Sequence, residues 1–144
     1  FERIFKADTL PEIRSYLVSI AKKTVAVIQN TQNKKVNQII EQIKEYLEQN
    51  LSDPEITLSS TAKKFYMNMS YLSRIFKQET GYTFVEYLTK IRMERAVRLL
   101  QETDLRAYQI AEEVGIQNPH YFGICFKKWT GLSVNDFRKS LNKK

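Results

Sequence analysis

One histidine, His120, and one cysteine, Cys125, are the only side chains of their kinds in this 144-residue chain. That inventory bounds the chemistry. Disulfides within the chain are impossible, a Cys/His zinc site lacks ligands, and serine–histidine catalysis would have to run through His120 alone. The sequence holds no Walker lysine motif, no paired metal ligands and no nucleophile with a base in reach. No catalytic, cofactor or metal-binding set is therefore expected. What the chain does offer is hydrogen-bonding and cationic side chains that recur at an interval of about 50 residues. Tyr71-Leu72-Ser73-Arg74-Ile75-Phe76-Lys77 leads to Gly81, and Tyr121-Phe122-Gly123-Ile124-Cys125-Phe126-Lys127 leads to Gly131. Thr83 and Tyr87 then answer to Ser133 and Phe137. Upstream, Ala62 and Phe65 answer to Ala111 and Val114, with one extra residue in the second copy's turn. A helical unit presented twice suits a linear polymer with its own repeat, and duplex DNA is the first candidate.

Helices must position these residues. Gly and Pro are few, and all but Gly123 sit where a helix should start or stop. Thr9-Leu10-Pro11-Glu12 reads as a capping box with Pro in the first turn, followed by Ile13, Leu17, Ile20, Ala21 and Val27/Ile28 at helical spacing. The polar run from Gln29 to Lys35 predicts a break near Asn30–Asn33. A second amphipathic helix, about Lys34 to Gln49, follows with Val36, Ile39, Ile40, Ile43 and Leu47 on one face. Asn50 to Pro54 ends it. Thr57 caps a short helix, Asn68 caps one from Met69 to about Glu79, and Gly81 stops that one. A long helix is predicted from Phe84 to Gln101. The second copy then repeats the plan: a short helix through Ile110, Ala111 and Val114, a turn at Gly115, and Asn118 as cap with Pro119 first in the helix. Gly131 is its stop, and Ser133 with Asp136 opens a last short helix.

Two short helices joined by a tight turn, the second with a polar outward face, form a helix-turn-helix. Ala62 and Ala111 are small where the helices cross. Phe65/Val114, Leu72/Phe122 and Phe76/Phe126 supply the apolar faces of the crossing, and Trp129 and Phe137 read as core with them. The free face of the second helix in each pair fits a major groove. Its capped N-terminus favours phosphate.

The charge distribution fits this reading without compelling it. The net charge is +7. Residues 1–35 hold seven basic and three acidic side chains, residues 36–104 nine and ten, and residues 105–144 seven and three. The excess lies at the two ends, so the second repeat is basic. No apolar run approaches the ~20 residues that span a bilayer, and no signal-peptide pattern opens the chain. A reduced, cytoplasmic setting without membrane contact is the expectation. The chain opens on Phe1, which reads as a piece of something longer.

These motifs resemble the DNA-binding domain of the AraC/XylS family of bacterial transcription regulators over roughly Val36 to Lys139. The similarity is carried by Ile110-Ala-Glu-Glu-Val-Gly-Ile-Gln-Asn-Pro-His-Tyr-Phe, by Phe126-Lys-Lys-Trp-Thr-Gly and by Phe137-Arg138. The first half adds Tyr71-Leu-Ser-Arg-Ile-Phe-Lys, Gly81, Tyr87-Leu88, Arg92 and Ala96 to Leu100. The resemblance implies an all-α fold: two helix-turn-helix subdomains (36–83 and 102–144) joined by a connecting helix (84–101). An extra N-terminal linker helix or tail of an upstream module (1–35) precedes them. That lead is similar to YesN-like two-component response regulators, in which a receiver domain comes first. A ligand-binding sensor upstream is the competing arrangement. A connector of ~27 Å between readers about one helical turn, ~34 Å, apart predicts an asymmetric site of roughly 20 base pairs, with DNA bending absorbing the mismatch.

In the first reader, Ser70, Ser73 and Arg74 are the candidate base contacts. Arg74 leads because its fork can bridge guanine O6 and N7; the alternative is a solvated or phosphate-holding arginine. In the second, Ile124 stands where the family often carries Arg, so base contact falls to Asn118 and His120, the latter equally readable as a structural histidine. Asn68, Tyr71, Lys77, Gln117, Lys127 and Lys128 are candidate backbone contacts. The second reader is thus expected to act mainly as a clamp. Cys125 reads as a small buried hydrophobe, and Val134 replaces the family's usual Pro. The partners implied are double-stranded DNA and RNA polymerase, with the regulator most simply an activator. A homodimer through the upstream or N-terminal segment is a further possibility, because the Ile13–Ile28 stripe can serve as a dimer face, a docking face or simple packing. A helical protein-interaction module is the competing class, and it would present acidic or apolar reader faces. Ser70, Arg74, Lys77 and Lys127 argue against it.

Overall fold

The computed structural model describes residues 9–143. Among them the chain forms seven helices and no strand. In order these are α1 (Leu10–Gln49), α2 (Leu58–Lys64), α3 (Met69–Thr80), α4 (Phe84–Glu102), α5 (Ala107–Glu113), α6 (Pro119–Thr130) and α7 (Val134–Leu141). The all-α class with two helix-turn-helix pairs, α2–α3 and α5–α6, and a long helix between them is as expected. The chain divides into two compact units, Phe1–Ile39 and Ile40–Lys144. Residues 1–8 of the N-terminal segment lie outside the described residues.

One expectation is corrected in α1. No break occurs at Asn30–Asn33: a single helix of 40 residues runs from Leu10 to Gln49. Polarity is not a stop signal by itself. No Gly or Pro falls between Pro11 and Asn50, and Thr31 turns its hydroxyl back to Val27 O at 3.0 Å, as Thr24 does to Ile20 O at 2.9 Å. The two helices expected on either side of that polar run are therefore one. In the N-terminal unit Leu17, Val18, Ile20, Val25, Val27 and Ile28 are exposed.

In the second unit the internal repeat becomes geometry. Asn68 Oδ1 accepts from the Ser70 and Tyr71 N–H groups at 2.9 and 3.1 Å, and Asn118 Oδ1 accepts from His120 and Tyr121 at 2.9 and 3.2 Å. Each oxygen satisfies two donors that a helix start leaves unpaired. At the other ends Gly81 and Gly131 adopt φ 78° and 81°, the left-handed stop that favours glycine. Thr83 caps α4 with Glu86, whose Oε2 accepts the Thr83 N–H at 2.8 Å; that bond holds the carboxyl below its usual range. Ser133 caps α7 and hydrogen-bonds Asp136 in turn.

The cores follow the same duplication. Ile40, Ile43, Leu47, Ala62, Leu72, Ile75 and Phe76 are buried in the first subdomain, with Phe76 against Phe84 at 5.5 Å and Tyr87 at 5.3 Å. In the second, Met93, Ala96, Ile110, Ala111, Val114, Phe122 and Phe126 form one buried cluster. Helix α4 packs against α3, α5, α6 and α7, so one helix supplies side chains to both cores. Trp129 departs from expectation. It is 46% exposed rather than core, because its ring lies along a groove beside Tyr82, Val85 and Lys128; Phe137 is half-buried against Phe126. Val134 is buried and Ser133 caps its helix, so the departure from Pro does not disturb the start of α7.

Thr61 is fully buried, and its hydroxyl has no hydrogen-bond partner. A lone buried donor costs about 1–3 kcal/mol in desolvation. The matching position of the second copy is Ile110, also fully buried. Thr61→Val should therefore stabilise the fold by about 1 kcal/mol, read as a higher denaturation midpoint at unchanged slope. An unchanged or lower midpoint would mean the hydroxyl is satisfied.

Candidate nucleic-acid interface

Each reader helix rests its apolar face on the core and turns a polar face outward. On α3, Leu72, Ile75 and Phe76 are buried, while Asn68, Ser70, Tyr71, Arg74 and Lys77 are exposed. The 3.6-residue period forces this sorting. Ser73 is half-buried, on the flank of the face rather than at its centre. Arg74 lies with its guanidinium 5.4 Å from the Tyr71 ring centroid. That contact steadies a long side chain while leaving its donors directed at solvent.

On α6, Phe122 and Phe126 are buried, and Gln117, Asn118, His120, Lys127 and Lys128 are all exposed. The sequence-derived candidates thus divide into two outward clusters, one per reader. Ile124, at the position matching Arg74, is 54% exposed. An apolar side chain held in water there can meet a thymine methyl but can donate to no base. A Cβ at Gly123 would meet nothing within 4 Å. Close packing within the protein is thus no reason for this glycine.

The helix starts are chemically suited to anions. Asn68 and Asn118 occupy two N–H groups each, and the remaining free donors of the first turn sit at the positive end of the helix dipole. No acidic residue stands in the first turn of α3 or α6, while α6 ends on Lys127 and Lys128.

Three features were not legible beforehand. Tyr121 is 53% exposed, and its interaction with the neighbouring Cys125 side chain raises its phenol pKa. Cys125, expected as a small buried hydrophobe, packs against the second core but is only half-buried, because it lies on the flank of α6 that faces this groove. Tyr66 takes φ 55° while 98% exposed, the one non-glycine with positive φ among the described residues. The hydrogen bonds from Met67 N to Ala62 O and from Ile116 N to Ala111 O, both 2.8 Å, show that Tyr66 occupies the turn position of Gly115. Only the repeat, followed through the turn, could have found it.

Among the described residues no group of three or more His, Cys, Asp and Glu side chains is placed to hold a metal ion. No described helix is long and apolar enough to cross a membrane.

Comparison with known proteins places this geometry. The family described as Helix-turn-helix domain matches residues 61–140. YesN of Bacillus subtilis, an uncharacterized transcriptional regulatory protein, is 42% identical over 92 residues, which is 62% of this chain and 25% of YesN. This chain therefore spans about a quarter of that relative's length. The C-terminal domain of AraT, a response regulator from Geobacillus stearothermophilus, is 42% identical at a TM-score of 0.69, covering 71% of this chain and 84% of that one. The C-terminal domain of the response regulator yesN from Fusobacterium nucleatum is 38% identical at 0.67, covering 68% and 95%. With the family match spanning most of the second unit, and with both helix-turn-helix pairs in place, the chain belongs to the AraC-type helix-turn-helix family and is similar to the C-terminal domains of YesN-like response regulators.

Proposed function

We propose that this chain is the DNA-binding part of a transcription regulator, reading two adjacent major-groove segments of an asymmetric duplex site. The observation that carries this is the pair of capped reader helices on one connecting helix, each with a hydrogen-bonding or cationic face in solvent. Domain limits follow the chemistry: a linker at 1–35, a first reader at 36–83, the connector at 84–101 and a second reader at 102–144. Base readout falls to Ser70, Ser73 and Arg74 in the first reader and to Asn118 and His120 in the second. Asn68, Tyr71, Lys77, Gln117, Lys127 and Lys128 hold the backbone. The first reader selects sequence and the second clamps. Within a whole regulator this domain would act in the cytoplasm, positioning RNA polymerase as an activator, with the exposed Leu17–Ile28 stripe of α1 pairing two copies.

Selection of bound duplexes from a random pool tests the reading. Two unequal blocks about one turn apart should be enriched. Three backbone-holding cations on the two reader faces, Lys77, Lys127 and Lys128, set a log–log salt slope of about −2.7, at ~−0.9 per phosphate contacted. Stoichiometry at saturation in the same titration separates one chain per site from two. Enrichment of no sequence, with affinity indifferent to salt, would remove DNA as the ligand.

A further inference from the structure

Arg92 lies near the middle of α4, between the two readers, and its side chain is half-buried. Its Nε donates to Leu51 O at 3.2 Å and its Nη2 donates to Asp53 O at 2.9 Å. Both carbonyls belong to the turn that follows α1, in the first subdomain. The same turn meets the second subdomain at Gly115. A Cβ built on Gly115 would lie 2.4 Å from Leu51 O, 2.9 Å from Arg92 Nη2 and 3.1 Å from the Ser52 carbonyl carbon. The turn of the second helix-turn-helix is thus pressed against the turn that opens the first, with one guanidinium wedged beside the contact.

The internal repeat supplies a control. Tyr66 occupies the equivalent turn position of the first copy, takes the same left-handed conformation, and stands 98% exposed. The turn itself accepts a large side chain, so Gly115 is required by the neighbouring subdomain and not by the local backbone alone. Arg92 is likewise unpaired in the repeat, since the position 50 residues on is Asn142, at the end of α7. Both residues occur only where one subdomain abuts the other. Burial lowers the Arg92 pKa while Asp53 opposes that shift, and a guanidinium stays charged throughout the ordinary pH range.

We propose that Arg92 and Gly115 form the joint that sets the spacing and phase of the two reader helices, making Arg92 a positioning residue for two-block recognition. The inference rests on the DNA-reading proposal above. The physical reason is leverage. Adjacent half-sites lie ~34 Å and about 10 base pairs apart, so one inserted pair moves a block by ~3.4 Å and turns it by roughly a tenth of a circle. A joint stiff enough to resist that displacement converts half-site spacing into affinity. A loosened joint lets each reader find its block independently.

The test compares the selected two-block site with versions carrying one base pair added or removed between blocks, using the whole chain and anisotropy titration. The wild-type protein should lose about tenfold or more in affinity for either altered spacing, the geometry of paired readers being fixed. Arg92→Ala and Gly115→Ala, shown folded by circular dichroism, should bind all three spacings within about threefold of one another, with single-block affinity unchanged. Arg92→Lys keeps the charge but cannot span both carbonyls. It should fall between, and it serves as the decisive variant if either alanine substitution fails to fold. Folded variants that keep the wild-type spacing preference while merely melting earlier would overturn the proposal and leave Arg92 a stabilising residue only. A wild-type protein that binds no duplex at all would instead signal failure of the underlying DNA reading.

Discussion

Phe126→Ala should lower the unfolding free energy by about 3–5 kcal/mol, the range for truncating a buried phenylalanine. Phe126 is wholly buried, with its ring 5.9 Å from Phe122 and 5.5 Å from Phe137, edge-on to the latter. It belongs to the cluster formed by α4, α5, α6 and α7, so the cavity would open where four helices meet and none can close it alone. Domains of this size hold only about 5–15 kcal/mol in total, so one ring carries roughly a fifth or more of the margin. Denaturant titration followed by far-ultraviolet circular dichroism reads the effect as a reduced midpoint. A loss below about 1 kcal/mol would mean that the neighbouring rings collapse into the space, contrary to the interlocked arrangement described.

Arg74→Ala should weaken binding to the selected duplex by about tenfold to a hundredfold, since a bidentate arginine–guanine contact is worth roughly 1–3 kcal/mol of discrimination. The loss should be confined to one block of the site. Arg74 is exposed on the outward face of α3 and is steadied at 5.4 Å over Tyr71, so its removal leaves the core untouched and stability near wild type. Arg74→Lys should recover little, because an ammonium cannot reproduce the planar fork. The matching substitution in the second reader, Ile124→Ala, should change affinity by no more than about threefold, the site offering at most a methyl contact. Anisotropy titrations against the selected site, and against versions mutated one position at a time, give both answers. If Arg74→Ala weakens every sequence equally and reduces the salt slope by about one, the side chain holds phosphate and base readout passes to Ser70 and Ser73.

Much of this protein was legible before any tertiary structure. Asn68 and Asn118 at helix starts, Gly81 and Gly131 at helix ends, and the caps at Thr57 and Ser133 all rest on hydrogen bonds between residues two to four apart. Such interactions depend on the local chain alone. The duplication was visible for the same reason, because each copy repeats local signals together with the apolar period that buries Leu72/Phe122 and Phe76/Phe126. The polar faces of the readers followed from the remaining positions of that period.

Other features were decided only by packing. The polar run at Asn30–Asn33 mimicked a stop, yet a helix continues through exposed polar residues when nothing removes a donor or demands positive φ. Trp129 carried the composition of a core residue, but its place was settled by what lies opposite, and the groove beside Tyr82 and Val85 leaves it 46% exposed. The joint at Arg92 brings together a side chain and a carbonyl 41 positions apart, with Gly115 pressed on the same turn. No local signal encodes such a meeting. Sequence by itself determined the two readers, their ends and their outward faces, because those follow from neighbours along the chain; the tertiary structure decided how the readers are held relative to each other, because that depends on which distant backbones approach closely enough to exclude a side chain.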